Sequence, residues 1–288
     1  MEAFIFPGQG SQRRGMGKDL FDTVNEFRTL EHQIDALLGY SVRQLCLEDP
    51  GNRLKETQYT QPCLYVVNWL HYLRAISAGK RAQFAAGHSL GEYNALLSAG
   101  VFDFLTGLRL VKRRGELMAQ AKNGAMAAVV GLTGERVGAV LREHGFTRLD
   151  IANYNSPQQV VLSGDAQEID KAKAAFTAAK AQMYFPLPVS AAFHSRYMEQ
   201  AALTFESFLS SIEFGPPKLA VMSNVSGLPY GSNSSSAEIR SLLVKQIYNP
   251  VQWMQSIRYL IHQGVDTFTE LGPGDVLARL TKQIQDNP

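Results

Sequence analysis

The feature that most constrains the fold is a short segment with a glycine at each end, Gly87-His88-Ser89-Leu90-Gly91. A short apolar strand at 84–86 precedes it, and a helical pattern follows from 92 to 99. The glycines allow a sharp backbone turn without Cβ clashes. A strand, a tight turn and a helix form the unit from which parallel α/β sheets are built. The segment therefore predicts a parallel α/β domain with the Ser89 hydroxyl raised above the carboxyl end of its sheet.

A second pattern begins near residue 125, where the spacing of the apolar runs changes. We predict strands and helices here in the order β-α-β-β-α-β, with strands at 126–131, 149–154, 159–163 and 182–187 and helices at 134–144 and 166–179. This order is typical of a ferredoxin-like subdomain. The sequence thus predicts a larger α/β domain made of residues 1–124 and 189–288, with residues 125–188 inserted as the subdomain. A continuation of the main sheet is the alternative interpretation of the insert.

Composition excludes several classes of protein. Hydrophobic residues make up 45% of the 288 residues and charged residues 19%, which suits a globular chain rather than a disordered one. The formal charge of +2 gives no basic excess for nucleic acid or an anionic membrane. The first residues lack the basic and long apolar regions of a signal peptide, so we expect none, and no apolar run approaches the roughly 18 residues needed to span a bilayer. Cys46 and Cys63 lie in no ligand-like cluster. We therefore expect a cytoplasmic protein without a disulfide framework or a metal site, and with no nucleic acid or membrane partner.

A nucleophilic serine needs a base, and the chain has six histidines. His194 follows a predicted strand and precedes a helix, among small apolar residues that suit a partly desolvated, neutral imidazole. His88 is adjacent to Ser89 in sequence, but successive side chains in a tight turn diverge. His262 ends a predicted helix, where it is favoured by the helix dipole alone. From the residues alone, His194 is a candidate base, with a plain structural histidine as the alternative.

Two further features have both a structural and a functional interpretation. Arg114 shares an apolar stripe of a predicted helix at 104–121, where a guanidinium is costly unless it is paired. Its partner is either a structural carboxylate, which the residues alone favour, or the carboxylate of a substrate.

The loop Gly8-Gln9-Gly10-Ser11-Gln12 follows the first strand and lacks the lysine and spacing of phosphate-binding loops. It can instead supply a backbone N–H to an oxyanion near Ser89.

Taken together, six motifs resemble those of the malonyl-CoA:acyl-carrier-protein transacylase family, and the match covers essentially the whole chain. The motifs, in order, are Phe6-Pro7-Gly8-Gln9-Gly10-Ser11-Gln12, Gly87-His88-Ser89-Leu90-Gly91-Glu92, Arg114-Gly115, Ala192-Phe193-His194-Ser195, Asn249-Pro250-Val251-Gln252-Trp253 and Glu270-Leu271-Gly272-Pro273-Gly274. The resemblance implies an α/β-hydrolase-like main domain with a parallel sheet and an inserted ferredoxin-like subdomain.

The resemblance also implies a role for individual residues. Ser89 would be the acylated nucleophile and His194 its general base. A backbone carbonyl would orient the histidine, and Gln252 matches that position. The backbone N–H groups of Gln9 and Leu90 would form the oxyanion hole.

The remaining implications concern the substrate and partners. Arg114 would hold the malonyl carboxylate, and Phe193 would crowd the place of an α-methyl group. The substrates would be malonyl-CoA and the phosphopantetheine arm of an acyl carrier protein, with no metal or bound cofactor, and we expect a monomer. The segments 45–50, 57–62 and 65–68 resemble the discrete acyltransferases that serve polyketide synthases in trans more than the housekeeping enzymes of fatty-acid synthesis.

Three other functions remain as alternatives. The first is a proofreading hydrolase that clears stalled carrier proteins, although relatives of that kind tend to lose the arginine present here as Arg114. The second is an α/β-hydrolase esterase, in which Asp165 or Asp170 would complete a triad. The third is a non-catalytic docking module, against which the intact set of serine, histidine and arginine argues.

Overall fold

The computed structural model describes residues 1–189 and 191–287, so Ser190 of the histidine segment and Pro288 lie outside it. The described chain forms two separate four-stranded sheets. The strands are β1 (Glu2–Phe6), β2 (Phe84–Gly87), β3 (Gly124–Val130), β4 (Leu149–Ser156), β5 (Gln159–Asp165), β6 (Met183–Pro186), β7 (Ala220–Val221) and β8 (Thr267–Glu270).

Helices connect and cover these strands. They are α1 (Lys18–Phe21), α2 (Asn25–Leu38), α3 (Val42–Glu48), α4 (Thr57–Ser77), α5 (Gly91–Ser98), α6 (Phe104–Ala119), α7 (Gly134–Glu143), α8 (Ala166–Ala178), α9 (Glu199–Leu209), α10 (Ser236–Tyr248), α11 (Trp253–His262) and α12 (Val276–Gln285). Two short 3-10 segments occur at Pro50–Lys55 and Arg196–Met198. Within the described residues, no helix combines the length and the apolar character needed to cross a membrane.

The first sheet is parallel throughout, with the strand order β7-β2-β1-β8. Phe4 of β1 pairs with Ala85 of β2 and with Thr269 of β8. Residues 3–6 of β1 are fully or almost fully buried, because helices cover both faces of the sheet. The predicted parallel α/β domain is thereby confirmed.

The turn after β2 depends on close contacts between backbones. A Cβ on Gly87 would lie 1.9 Å from the carbonyl carbon of Gly91, and a Cβ on Gly91 would lie 2.0 Å from the carbonyl oxygen of Phe6. Ser89, between them, has a φ of 51°, a left-handed conformation that is costly for a residue with a side chain. Helix α5 begins two residues later and continues away from the sheet.

The second sheet is antiparallel, with the order β4-β5-β3-β6, and α7 and α8 pack on one face. Its own core includes Val129, Leu162 and Phe176, all of them buried. This is the predicted β-α-β-β-α-β arrangement, so a continuation of the main sheet is wrong. We propose residues 1–124 and 189–288 as the catalytic domain and 125–188 as the subdomain, supported by the separation of the two sheets and their cores.

Sequence analysis did not predict the last helix, α12. Its N-cap residue Asp275 makes no side-chain capping bond. Instead, the carboxylate of Glu270 in β8 accepts hydrogen bonds from the backbone N–H groups of Leu277 and Ala278, at 3.2 and 2.8 Å. The group that caps α12 is therefore a side chain several residues before the helix. The residues immediately before the helix carry no capping signal that sequence analysis could use.

Substitution of Gly87 by alanine tests the backbone packing at the turn. The new Cβ would meet backbone atoms that cannot move cheaply, so Gly87→Ala is expected to cost at least about 3 kcal/mol of unfolding free energy. Gly138→Ala in α7 is the control, because its Cβ would approach only the Arg142 side chain, at 3.4 Å. That change is expected to stabilise the helix by about 0.5–1 kcal/mol. Equal unfolding temperatures for the two variants in a thermal melt would contradict this account of the turn.

Candidate active site

The structure brings Ser89 and His194 into direct contact. Ser89 Oγ lies 2.7 Å from His194 Nε2. On the other side of the ring, His194 Nδ1 lies 2.8 Å from the backbone oxygen of Gln246. A carbonyl only accepts, so Nδ1 carries the proton and Nε2 is left as the acceptor for the serine hydroxyl. This is the geometry of a nucleophile paired with an oriented base.

The imidazole is kept neutral by its surroundings. Burial, together with the positive charge of Arg114, lowers the pKa of His194 from 6.5 to about 3. His194 has a φ of 55°, and, like Ser89, it is held in a left-handed conformation that is rare for residues other than glycine. Both reacting residues therefore occupy positions that the surrounding packing imposes on them.

The assignment of Gln252 as the histidine-orienting residue is wrong, because the carbonyl belongs to Gln246. Gln246 lies in the last turn of α10, where helix carbonyls lose their intrahelical partners. The residue four positions later, Pro250, has no N–H to donate. Gln252 lies beyond that proline, and its backbone N–H donates to the carbonyl of Asn224 at 2.8 Å. A proline four residues after a helical glutamine was thus the signal in the sequence for the free carbonyl.

The loop that contains Gln9 lies against the turn that contains Leu90. A Cβ on Gly8 would be 2.3 Å from the backbone oxygen of His88, which shows how closely the two segments approach. Within residues 1–189 and 191–287, neither the Gln9 nor the Leu90 backbone N–H has a protein acceptor. Both residues line the same cavity as Ser89. The predicted oxyanion hole is compatible with this arrangement, and its role stays a prediction.

Arg114 is buried beside the nucleophile, with only 1% of its surface exposed. Nη1 donates to Gln61 Oε1 at 2.8 Å, and Nη2 donates to Gln246 Oε1 at 2.9 Å and to Ser89 Oγ at 3.1 Å. No carboxylate forms an ion pair with it among the described residues. The interpretation as a partner of a structural carboxylate is therefore wrong, since its acceptors are neutral.

Such a guanidinium is poorly compensated. Burial lowers the pKa of Arg114, while Tyr93 and Glu92 oppose that shift. Its Nε atom, also buried, has no partner among the described residues. A buried positive charge with neutral acceptors favours a site that receives an anion.

Ser89, His194 and Arg114 line a cavity of about 90 Å³. Its walls are mostly apolar and include Phe193, which is 7% exposed. The other lining residues are Gln9, Gln61, His88, Leu90, Met118, Met126, Asn153, Leu187 and Val189. A larger cleft of about 470 Å³ shares Leu187, Val189 and Phe193 with it. The small chamber suits an acyl group of few atoms, and the cleft offers a route for a longer arm.

Other candidate residues form contacts outside the pair of Ser89 and His194. His88 Nε2 is 2.8 Å from Asn155 Oδ1, so its ring is turned from Ser89, as predicted. Asp165 caps α8 and forms an ion pair with Arg148, which leaves it unavailable as the third member of a triad. Sequence analysis missed Gln61 and Gln246, whose contacts with Arg114 depend on tertiary packing. It gave no role to Glu92, which ends the second motif, and it missed Asn224; both lie behind the turn.

The lowered pKa of His194 predicts a flat pH profile for the reactivity of Ser89. We expect the labelling rate with a neutral, serine-directed fluorophosphonate to change less than about twofold between pH 8 and pH 5, because the base stays unprotonated. An imidazole with the ordinary pKa of about 6.5 would lose roughly 30-fold over that range. His194→Ala is the control and should abolish labelling. A rate that declines with a midpoint near pH 6.5 would contradict the buried, neutral base.

Comparisons with known proteins show the family of this chain. The family model described as "Acyl transferase domain" matches residues 3–287. The polyketide biosynthesis malonyl CoA-acyl carrier protein transacylase BaeC of Bacillus velezensis is 51% identical over 99% of this chain and 97% of that protein. The malonyl CoA-acyl carrier protein transacylase of Escherichia coli O157:H7 is 40% identical over 99% of this chain and 93% of its own.

Solved structures agree as well. The crystal structure of a malonyl CoA-acyl carrier protein transacylase from Burkholderia pseudomallei superimposes with a TM-score of 0.94 at 48% identity, covering 100% of this chain and 99% of that one. Its similarity covers both sheets, with the main α/β domain and the antiparallel subdomain. From its sequence and its fold, this chain belongs to the acyl transferase domain family.

Proposed function

We propose that this protein transfers a malonyl group from malonyl-CoA to the phosphopantetheine thiol of an acyl carrier protein, through a malonyl-Ser89 intermediate. The observation that carries the proposal is the position of Arg114. It is a buried guanidinium without a carboxylate partner, 3.1 Å from the oxygen that would carry the acyl group. A malonyl group has a thioester carbonyl for the serine and a carboxylate for the arginine, so it matches both contacts.

In the first half-reaction, Ser89 Oγ attacks the thioester carbonyl while His194 Nε2 takes the hydroxyl proton. The backbone N–H groups of Gln9 and Leu90 receive the oxyanion of the tetrahedral intermediate. Collapse of that intermediate breaks the carbon–sulfur bond. The proton passes from His194 to the leaving sulfur, and free coenzyme A departs.

The second half-reaction runs the same steps in reverse order. The carrier's phosphopantetheine thiol gives its proton to His194, and its sulfur attacks the ester carbonyl. Collapse then breaks the bond to Ser89 Oγ, which regains the proton. The two thioesters are nearly equal in energy, so the exchange has almost no driving force. The enzyme contributes a covalent relay through Ser89 that connects them. The apolar chamber keeps bulk water from the ester between the two halves.

The biological setting that we propose is polyketide synthesis, with the enzyme acting in trans. A relative named for polyketide biosynthesis is 51% identical, whereas the E. coli transacylase is 40% identical. We further propose a cytoplasmic monomer that needs no metal or resident cofactor. Transfer for fatty-acid synthesis would use the same site and differ only in the carrier protein that is served.

Replacing the nucleophile tests the covalent relay. Ser89→Ala is expected to abolish both the malonyl adduct in intact-mass spectra and transfer to a phosphopantetheinylated carrier protein. Ser98→Ala, at the far end of α5, is the matched control and should retain both. Transfer that persists in Ser89→Ala would contradict the mechanism. Wild-type protein that strips acylated carriers instead of loading them would make the chain a proofreading hydrolase.

Replacing the arginine tests the carboxylate contact. A charge-assisted bidentate pair contributes about 1.5–3 kcal/mol, so Arg114→Ala should lower kcat/KM for malonyl-CoA by ~10- to 150-fold. Acetyl-CoA, which has no carboxylate, should lose little or gain. Arg113→Ala is the control, because that neighbour is half-buried, lies away from Ser89 and makes only a 3.7 Å contact with Glu116. Equal losses for both thioesters would contradict the role of Arg114.

A further inference from the structure

Behind the nucleophile turn lies a carboxylate to which the mechanism above gives no role. Glu92, two residues into α5, has no exposed surface. Its Oε1 accepts a hydrogen bond from the Tyr230 hydroxyl, and its Oε2 accepts from Gln246 Nε2 at 2.8 Å and from the Asn224 backbone N–H at 3.3 Å. A buried carboxylate that collects three donors from two other segments is costly unless it organises those segments.

The side-chain amide of Gln246 connects Glu92 to Arg114. Gln246 Nε2 donates to Glu92 and, at 2.8 Å, to the backbone oxygen of Ser89, while Gln246 Oε1 accepts from Arg114 Nη2 at 2.9 Å. An ionised carboxylate only accepts, so it requires the NH₂ end of the amide. The oxygen end must then face Arg114. With the amide reversed, NH₂ would face the guanidinium, and neither group could accept.

Glu92 reaches the nucleophile turn by a second route. Glu92 accepts a hydrogen bond from the backbone N–H of Asn224. The side chain of Asn224 in turn accepts from the Ser89 N–H through Oδ1 at 2.7 Å and donates to the carbonyl of Gly87 through Nδ2 at 2.7 Å. A loss of Glu92 can therefore act through the turn or through the arginine. These two effects differ in their substrate dependence, because only the arginine distinguishes an acyl group that has a carboxylate.

We propose that Glu92 is a positioning residue for malonyl selectivity: it fixes the direction of the Gln246 amide, which holds Arg114 in the pose that receives the substrate carboxylate. The inference deepens the proposed function and rests on the role given there to Arg114. Glu92 lies beyond the reacting atoms and touches no substrate. Its negative charge also offsets part of the buried positive charge of Arg114 across one intervening amide.

Glu92→Gln is the direct test, because it keeps the shape of the side chain and removes its obligatory acceptor character. We expect kcat/KM for malonyl-CoA loading to fall at least about 10-fold relative to that for acetyl-CoA, mainly through KM. Glu238→Gln, at the exposed start of α10, is the matched control and should leave the ratio unchanged. Equal losses with both thioesters would assign Glu92 to the turn alone and overturn the proposal, as would no loss.

The pH dependence of that ratio gives a second readout. Burial raises the pKa of Glu92 from 4.5 to about 7, against the hydrogen bonds that favour its ionised form. The groups that face it are Tyr230 and Asn224 after β7, Gln246 of α10 and Arg114 of α6. The ionised form present at higher pH fixes the amide. The ratio of malonyl to acetyl loading should therefore fall as the pH drops through about 7, while His194, whose pKa is lowered to about 3, stays unprotonated in this range with either substrate.

Tyr230→Phe keeps the proposal testable if Glu92→Gln does not fold. It removes a donor that favours the carboxylate, so the midpoint of the ratio should move to higher pH, whereas Glu92→Gln should flatten the curve. A ratio that is flat in wild-type protein, or a midpoint unmoved in Tyr230→Phe, would overturn the proposal. A wild-type protein that loads no malonyl at all would instead refute the function on which the inference rests.

Discussion

The active site depends on the contact between three backbone segments at the end of the parallel sheet. Gly87 and Gly91 approach each other, and Gly91 approaches Phe6, at distances that leave no room for a Cβ. This packing holds Ser89 at a positive φ, and its hydroxyl consequently points into the chamber rather than into the core. The same packing aligns the loop after β1 with the start of α5. The nucleophile and both proposed oxyanion donors are thus positioned by backbone contacts before any side chain contributes.

The last turn of α10 provides the second fixed point. Because Pro250 cannot complete the helix, the carbonyl of Gln246 is free to accept from His194. The segment that follows is held by the inserted subdomain: Val251 donates to the carbonyl of Ala152 at 2.8 Å and accepts from Tyr154 at 2.9 Å. The edge strand β4 therefore anchors the chain immediately after the helix end that orients the base. This contact links the insert to the His194 carbonyl partner, in addition to Met126, Asn153 and Leu187 of the insert, which line the cavity of Ser89.

Much of this arrangement is predictable from the sequence, because it has local causes. The turn around Ser89 follows from glycine spacing, and the insert follows from the order of apolar runs. The sequence shows Arg114 as a charged residue on an apolar helix stripe. It does not show that Gln61 and Gln246 are its hydrogen-bond acceptors, because they come from other helices. The Gln252 error has the same origin. The motif identifies the segment near the histidine, but it does not identify the carbonyl that accepts from it. That carbonyl is determined by the end of α10 and by Pro250, which has no N–H. The cap of α12 by Glu270 was missed because its donor and acceptor are separated along the chain.

The distribution of charge explains why the site is built from amides. A carboxylate in direct contact with Arg114 would neutralise the guanidinium and compete with the carboxylate of the substrate. With no anion at all, the buried charge would be costly in the free enzyme. Placing Gln246 between Glu92 and Arg114 lies between these extremes, because Glu92 offsets part of the buried charge at a distance and leaves the guanidinium without a direct anionic partner. The same reasoning applies to His194, where a carbonyl in place of an aspartate leaves a weak base that stays neutral. A site that receives an anion, as proposed for this one, therefore keeps its own anion one residue away from Arg114.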